Sequence, residues 1–180
     1  ISTTNTATVS IGGTNNTNPE VSCVGDCNLI ASGLNIGTSS TGVTIQGNYM
    51  GVDVTGMSNL TGTPAFSVAS TNVLIGGYSG GGPDINARNL ISGINAISWS
   101  NTANGLTVVG NYIGTDKTGM SAIPNAQGGL RYGLCGMGGC ALSNAVIEHN
   151  LISGNNFLSG INLDGGGTNT IRYNLIGTNA

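Results

Sequence analysis

The chain has 180 residues, of which 32 are Gly and only 6% are charged, where an average domain carries roughly a quarter. Its net charge is −3, and its four cations, Arg88, Lys117, Arg131 and Arg172, are scattered, which excludes a phosphate-backbone partner and a basic membrane-binding face. No run approaches the roughly 18 continuous apolar residues of a spanning helix, and β-branched residues recur too regularly for disorder.

In chain order, short apolar stretches alternate with period two at 9–11, 43–45, 73–75, 106–108, 146–147 and 161–163. That period predicts strands, and no helical period stands beside it. Each stretch closes on Gly or Asn, as at Gly12-Gly13, Gly47-Asn48 and Gly76-Gly77. A tight corner there calls for a positive φ.

Two phrases repeat at fixed spacing. The phrase Asn28-Leu29-Ile30-Ala31-Ser32-Gly33 returns at Asn89 and at Asn150, and 89 − 28 and 150 − 89 are both 61. Gly47-Asn48-Tyr49-Met50-Gly51 returns around Asn111 and again, as Asn174-Leu175-Ile176-Gly177, around Asn174, at intervals of 63. Self-similarity of this kind marks a solenoid. The two phrases lie 20, 22 and 24 residues apart in successive repeats, the length of one coil of a parallel β-helix. About three coils per superrepeat then predict eight or nine in all, a rod of about 40 Å at the spacing of stacked strands. The expected fold is a single all-β domain over 1–180, with loop insertions near 14–28, 78–87 and 120–144 that would leave the rod and carry any partner contacts.

Stacking supplies the core, because no coil buries its apolar side alone. Ile30, Ile91, Ile152, Met50, Ile113 and Ile176 are expected to face inward. Asn28, Asn89, Asn150, Asn48, Asn111 and Asn174 sit at corners, where an amide bonds turn backbone and stacks as a ladder.

The phrases "NLISG", "GNYIGTDKTG" and "VLIGG" resemble the repeating signature of right-handed parallel β-helix proteins of the pectin-lyase-like superfamily, in particular long bacterial surface and secreted proteins with "NVISGN…GNYIGTDATG…IGG" coils. The resemblance covers nearly the whole chain. It implies a right-handed β-helix and, because such repeats mostly occur in structural proteins, no particular activity.

The cysteines stand as Cys23…Cys27 and Cys135…Cys140. The pairs precede Asn28 and Asn150, two superrepeats apart and so about 29 Å along the axis by strand spacing, whereas a disulfide needs Cα atoms within about 7 Å. Cys23–Cys27 and Cys135–Cys140 are therefore the expected bonds, and they imply an oxidising, extracellular setting. The same separation opposes a shared four-thiolate zinc site. Asn15-Asn16-Thr17 and Asn59-Leu60-Thr61 are sequons, so Asn15 and Asn59 are acceptors where glycosylation operates.

Asp53 and Asp116 are equivalent by repeat and Asn179 follows them. Three coils place the two carboxylates about 14 Å apart, beyond the reach of a glycosidase pair, so each reads as a turn cap. Glu148-His149 is the one adjacent carboxylate–imidazole pair, but strand neighbours face opposite sides. Asp164, before Gly165-Gly166-Gly167, reads as a turn. The aspartate clusters and Gly-His-Gly phrases of related enzymes are missing. No catalytic residue, metal or cofactor is expected.

Tyr49, Tyr112 and Leu175 form a row, with Leu29, Leu90 and Leu151 in a second, and alternation turns both outward or into a corner. Such a row makes a lateral contact, stacks on sugars, or lies under loops. The chain opens at Ile1 without Met or signal peptide, which suggests a processed or excerpted product. It stops at Asn179-Ala180 inside a repeat phrase, without the polar cap of a solenoid end. Joined on paper, 174–180 and 1–13 make 20 residues, one coil. The expectation is a non-enzymatic, secreted or surface rod, or a filament unit built by head-to-tail self-assembly. The rivals are a carbohydrate-binding or polysaccharide-cleaving β-helix and an adhesin that grips another surface protein through the loops at 78–87 and 120–144. Neither nucleic acid nor membrane insertion is expected.

Overall fold

The computed structural model describes residues 1–3, 8–15, 22–60, 62, 65–95, 97–100, 102–126, 129–132, 141–155, 159–163 and 166–179. Across them the chain repeats one succession of three short strands. The first pass is β1 (Ser2–Thr3), β2 (Val9–Gly12) and β3 (Leu29–Ile30), and the second is β4 (Leu34–Ile36), β5 (Val43–Gln46) and β6 (Tyr49–Met50). The third runs through β7 (Phe66–Val68) and β8 (Leu74–Gly76), makes a hairpin of β9 (Tyr78–Ser79) and β10 (Gly82–Pro83) and a 3-10 turn at Ile85–Ala87, and ends in β11 (Leu90–Ile91). The remaining passes are β12 (Ile97–Trp99), β13 (Thr107–Val109), β14 (Tyr112–Ile113); β15 (Leu130–Tyr132), β16 (Val146–Glu148), β17 (Leu151–Ile152); and β18 (Ile161–Asn162), β19 (Thr170–Arg172), β20 (Leu175–Ile176).

The strands assemble into three parallel sheets of six. Sheet A has the order β1-β4-β7-β12-β15-β18, sheet B β2-β5-β8-β13-β16-β19 and sheet C β3-β6-β11-β14-β17-β20. The fold is all-β, with no α-helix among the described residues. All six stretches read as strands from their alternation overlap observed strands, five in sheet B and 161–163 in sheet A.

Among the described residues each sheet has six strands, where eight or nine coils were expected along the chain. The reason lies in sheet C, where Leu29 pairs with Tyr49, Tyr49 with Leu90, Leu90 with Tyr112, Tyr112 with Leu151 and Leu151 with Leu175. The two phrases thus occupy one ladder alternately, and a superrepeat spans two strands of that ladder rather than three. The steps from 49 to 90 and from 112 to 151 are also single passes, lengthened by loops.

Facing columns from the three sheets make one apolar cluster. Sheet A contributes Leu34, Phe66, Ile97 and Leu130, sheet B Ile11, Ile45, Ile75, Val108 and Ile147, and sheet C Ile30, Met50, Ile91, Ile113 and Ile152. Each side chain covers the one a strand spacing away, so burial accumulates only by stacking. The corners need left-handed backbone, and Gly76 shows why glycine serves there. Its φ is +91° and a Cβ would lie 1.8 Å from the Val109 carbonyl oxygen, a distance no side chain tolerates.

Candidate functional site

The corner between sheets B and C carries the asparagines read from the sequence, and it joins all six in one file. The side-chain oxygen of each asparagine accepts from the backbone N–H of the one before it. Asn28 donates to Asn48, Asn48 to Asn89, Asn89 to Asn111, Asn111 to Asn150 and Asn150 to Asn174, at 2.9–3.1 Å. The amide nitrogens run the same way, from Asn28 Nδ2 to Asn48 Oδ1 and onward to Asn174 Oδ1. The inner amides also donate to backbone carbonyls, as Asn111 Nδ2 does to Ile75 and Val109. Asn48, Asn89, Asn111 and Asn150 are buried. A buried polar column of this kind is tolerable because its groups are paired.

The outer face of sheet C holds the aromatic row. Alternation does turn Tyr49, Leu90 and Tyr112 away from the main core, and loops then cover the middle of the row. Tyr49, Leu90, Val52 and Ile123 form a second buried cluster against Tyr112, Cys23 and Cys27. Cys23 and Cys27 are disulfide-bonded with Cα atoms 5.3 Å apart. Cys135 and Cys140 lie outside the described residues, as does Asp164. Leu29 and Leu175, at the two ends of the row, are exposed.

Two equivalent turns build that cover. Val52 bridges Asn59 and Thr115 bridges Ala122, both antiparallel. Within them Asp53 Oδ1 accepts from Thr55 Oγ1 and the Met57 and Ser58 amides. Asp116 Oδ1 accepts from the Thr118 hydroxyl and from the Thr118, Met120 and Ser121 amides. The turns touch each other, since Lys117 N–H donates to the Gly56 carbonyl. The Thr55 hydroxyl, with the amides, holds Asp53 below its ordinary pKa. Burial pushes Asp116 up, but its Thr118, Ser121 and Met120 donors outweigh that and hold it below the ordinary value. Asp116 Oδ2 is buried and meets no donor among the described residues. Because β6 and β14 are separated only by β11, these aspartates belong to strands about 9.6 Å apart, not 14 Å. Separation therefore no longer rules out a carboxylate pair; commitment of each Oδ1 to its own turn opposes it. The turn-capping role expected of both is the one they have.

Beside these turns Tyr49, Arg88, Leu90, Tyr112 and Lys117 line a shallow cleft. The Arg88 guanidinium lies 4.0 Å from the centre of the Tyr112 ring and its Nε donates to the Gly110 carbonyl. Burial, and then Asp53, pushes the Tyr49 hydroxyl up to about 12. In the sequence Arg88 is only one of four scattered cations, and no local pattern marks it for this cleft, since its partners lie 22 and 24 residues away.

The glycine-rich insertion at 78–87 forms a strap. β9 and β10 pair as a hairpin, Asp84 accepts from the Asn86 amide, and the hairpin lies over Gly110, where a Cβ would come within 3.0 Å of Pro83 Cβ. Tyr78 OH donates to Glu148 Oε1 at 2.7 Å across 70 residues of sequence. Glu148 is buried and its Oε2 is paired with Arg172. The Arg172 bond, with Tyr78, holds Glu148 below the ordinary carboxylate range, while burial and Glu148 push Tyr78 up to about 12. His149 does not share this site. It is exposed, with φ +55°, and stacks on Tyr173 at 5.0 Å between ring centres.

Asn15 and Asn59 are both exposed, although Asn16, Thr17 and Thr61 of their sequons lie outside the described residues. Among the described residues no group of three or more His, Cys, Asp or Glu side chains is placed to hold a metal ion, and no helix is long and apolar enough to cross a membrane. Compared with family models, curated proteins and solved structures, the chain matches none of them.

Proposed function

We propose that the three sheets close into a right-handed parallel β-helix of the pectin-lyase-like kind, and that the protein is a non-enzymatic extracellular structural element whose copies stack end to end. The observation that carries this reading is the asparagine file, six corner side chains whose amides are bonded to one another and to backbone along the whole stack. Ile171 and Ile176 stand in register with Ile147 and Ile152, which are 0% and 1% exposed, yet they themselves are 45% and 50% exposed.

Three further features support the reading. The Cys23–Cys27 bond suits an oxidising compartment. Asp53, Asp116, Asp84 and Glu148 each accept hydrogen bonds that hold turns or the strap in place, which is structural rather than catalytic employment. Arg88 and Arg172 are engaged with Tyr112 and Glu148, so the cations do not gather as a nucleic-acid surface.

Electron microscopy and light scattering across a concentration series test the reading. Growth into short rods or filaments is expected, and a strictly monomeric particle at every concentration overturns it.

A further inference from the structure

Arg88 is a cation fixed in place without a counter-charge. Its backbone caps the 3-10 turn at the end of the strap, where its N–H donates to the Ile85 carbonyl, and the next residue, Asn89, is locked into the asparagine file. The side chain is held twice more, by the Nε bond to the Gly110 carbonyl at 3.2 Å and by the Tyr112 ring, whose centre lies 4.0 Å from the guanidinium carbon. Its two Nη groups meet no acceptor among the described residues, whereas Arg172 is paired with Glu148. A guanidinium immobilised at Nε and over a ring keeps one end-on fork of donors, the geometry that takes a planar oxyanion through two parallel bonds.

Elements from distant parts of the chain bring matching groups to this fork. Sheet C supplies Tyr49, Leu90 and Tyr112, and the second turn supplies Lys117, whose backbone is pinned to the Gly56 carbonyl. No Asp or Glu lines the cleft. Asp53, whose charge acts on Tyr49, has its Oδ1 committed to Thr55 and to the Met57 and Ser58 amides. The Tyr49 hydroxyl, pushed up to about 12, stays protonated at neutral pH and adds no negative charge. Including its open mouth the cleft encloses about 230 Å³, less than the roughly 300–1,000 Å³ of pockets for drug-sized ligands. It therefore suits one small group, with an anionic end for the cations and an apolar body for the rings and the leucine. We propose that this cleft binds a small monocarboxylate with a flat apolar body. The carboxylate bridges the Arg88 Nη groups with Lys117 alongside, and the body lies against Tyr49, Leu90 and Tyr112. This site is independent of whether copies of the chain stack.

Titration with benzoate, followed by nuclear magnetic resonance at an ionic strength held constant with chloride, tests it. Benzoate is expected to shift the Arg88 Nε–H and Tyr112 ring signals along a saturating curve with a millimolar Kd. Benzamide, the neutral isostere, is expected to leave them in place. Acetate, which keeps the charge and lacks the body, is expected to bind about tenfold more weakly. Arg88→Gln should weaken benzoate by about tenfold or more, and Arg88→Lys, which keeps the charge and loses the fork, by a smaller factor. Lys117→Gln should weaken it by about threefold. Circular dichroism and Trp99 fluorescence identify the folded variants, and Arg88→Lys and Lys117→Gln carry the comparison if Arg88→Gln does not fold. Shifts that never saturate, an equal response to benzamide, or wild-type affinity in every folded Arg88 variant overturns the site. Equal affinity for acetate and benzoate overturns the choice of an apolar body.

Discussion

Removing one amide from the middle of the asparagine file should cost several times more than removing one from its end. Asn111 is fully buried. Its side chain donates to Ile75 O at 2.9 Å and Val109 O at 3.0 Å, and accepts from Asn89 N at 3.1 Å and Asn89 Nδ2 at 2.8 Å. Asn111→Ala leaves these four groups without that partner in a site closed to water, while a fifth, Asn150 Oδ1, loses the Asn111 amide but keeps the Asn111 backbone N–H. At about 1 kcal/mol for each buried group left unmade, the loss is about 4 kcal/mol. That is a large share of a typical folding stability of about 5–15 kcal/mol. Asn174 makes the corresponding bonds to Ile147 O, Arg172 O and Asn150, but at an edge that water reaches, so Asn174→Ala should cost about 1 kcal/mol or less. The assay is urea unfolding at dilute, monomeric protein, followed by the fluorescence of Trp99, the only tryptophan, which is buried. With an m value of about 2 kcal/mol/M, Asn111→Ala should lower the midpoint by about 2 M. Equal costs at the two positions, or a loss under about 1 kcal/mol at Asn111, would refute the view that the file holds the corner.

Two further outcomes follow from the same geometry. Gly76→Ala, which sets a Cβ 1.8 Å from Val109 O at φ +91°, should destabilise by about 3 kcal/mol or more or prevent folding, whereas Gly82→Ala, with nothing within 4 Å of its added methyl, should shift the melt by under about 0.5 kcal/mol. Asp53, Asp116 and Glu148 all have folded pKa values below their ordinary ones, so their contribution is complete above the ordinary carboxylate range and is lost as pH falls through the lowered values. Thermal melts should therefore be flat from pH 7 to about pH 5 and fall steeply below about pH 4. Glu148→Gln should flatten part of that fall, and an unchanged acid profile in this variant would dismiss Glu148 as a contributor.

Much of the strand pattern was legible because alternation and glycine punctuation are local. Val43 and Ile45, Ile75, Val108 and Ile147 are buried where the period put them, and Gly12, Gly47 and Gly76 have the positive φ their places required. The Cys23–Cys27 bond was legible too, since the repeat spacing sets Cys135 and Cys140 too far along the stack to reach either residue. The number of passes was not, because loop length hides the true period: the step from Asn48 to Asn89 and the step from Asn89 to Asn111 are each one strand spacing. The Tyr78–Glu148–Arg172 contact was equally hidden. It joins residues 70 and 24 apart whose proximity depends on where the hairpin folds back.

By itself, the sequence determined that the chain is built of short parallel-type strands in repeating phrases, with asparagine at one corner and a largely uncharged surface. Those properties are carried by residue type and short-range order, which survive without knowledge of neighbours. Only the tertiary structure decided that both phrases share one sheet, that six asparagines form a single directed file, and that loops cover Tyr49 while Ile171 and Ile176 remain open. Each of these depends on which strand lies one spacing away, a relation set by stacking rather than by distance along the chain.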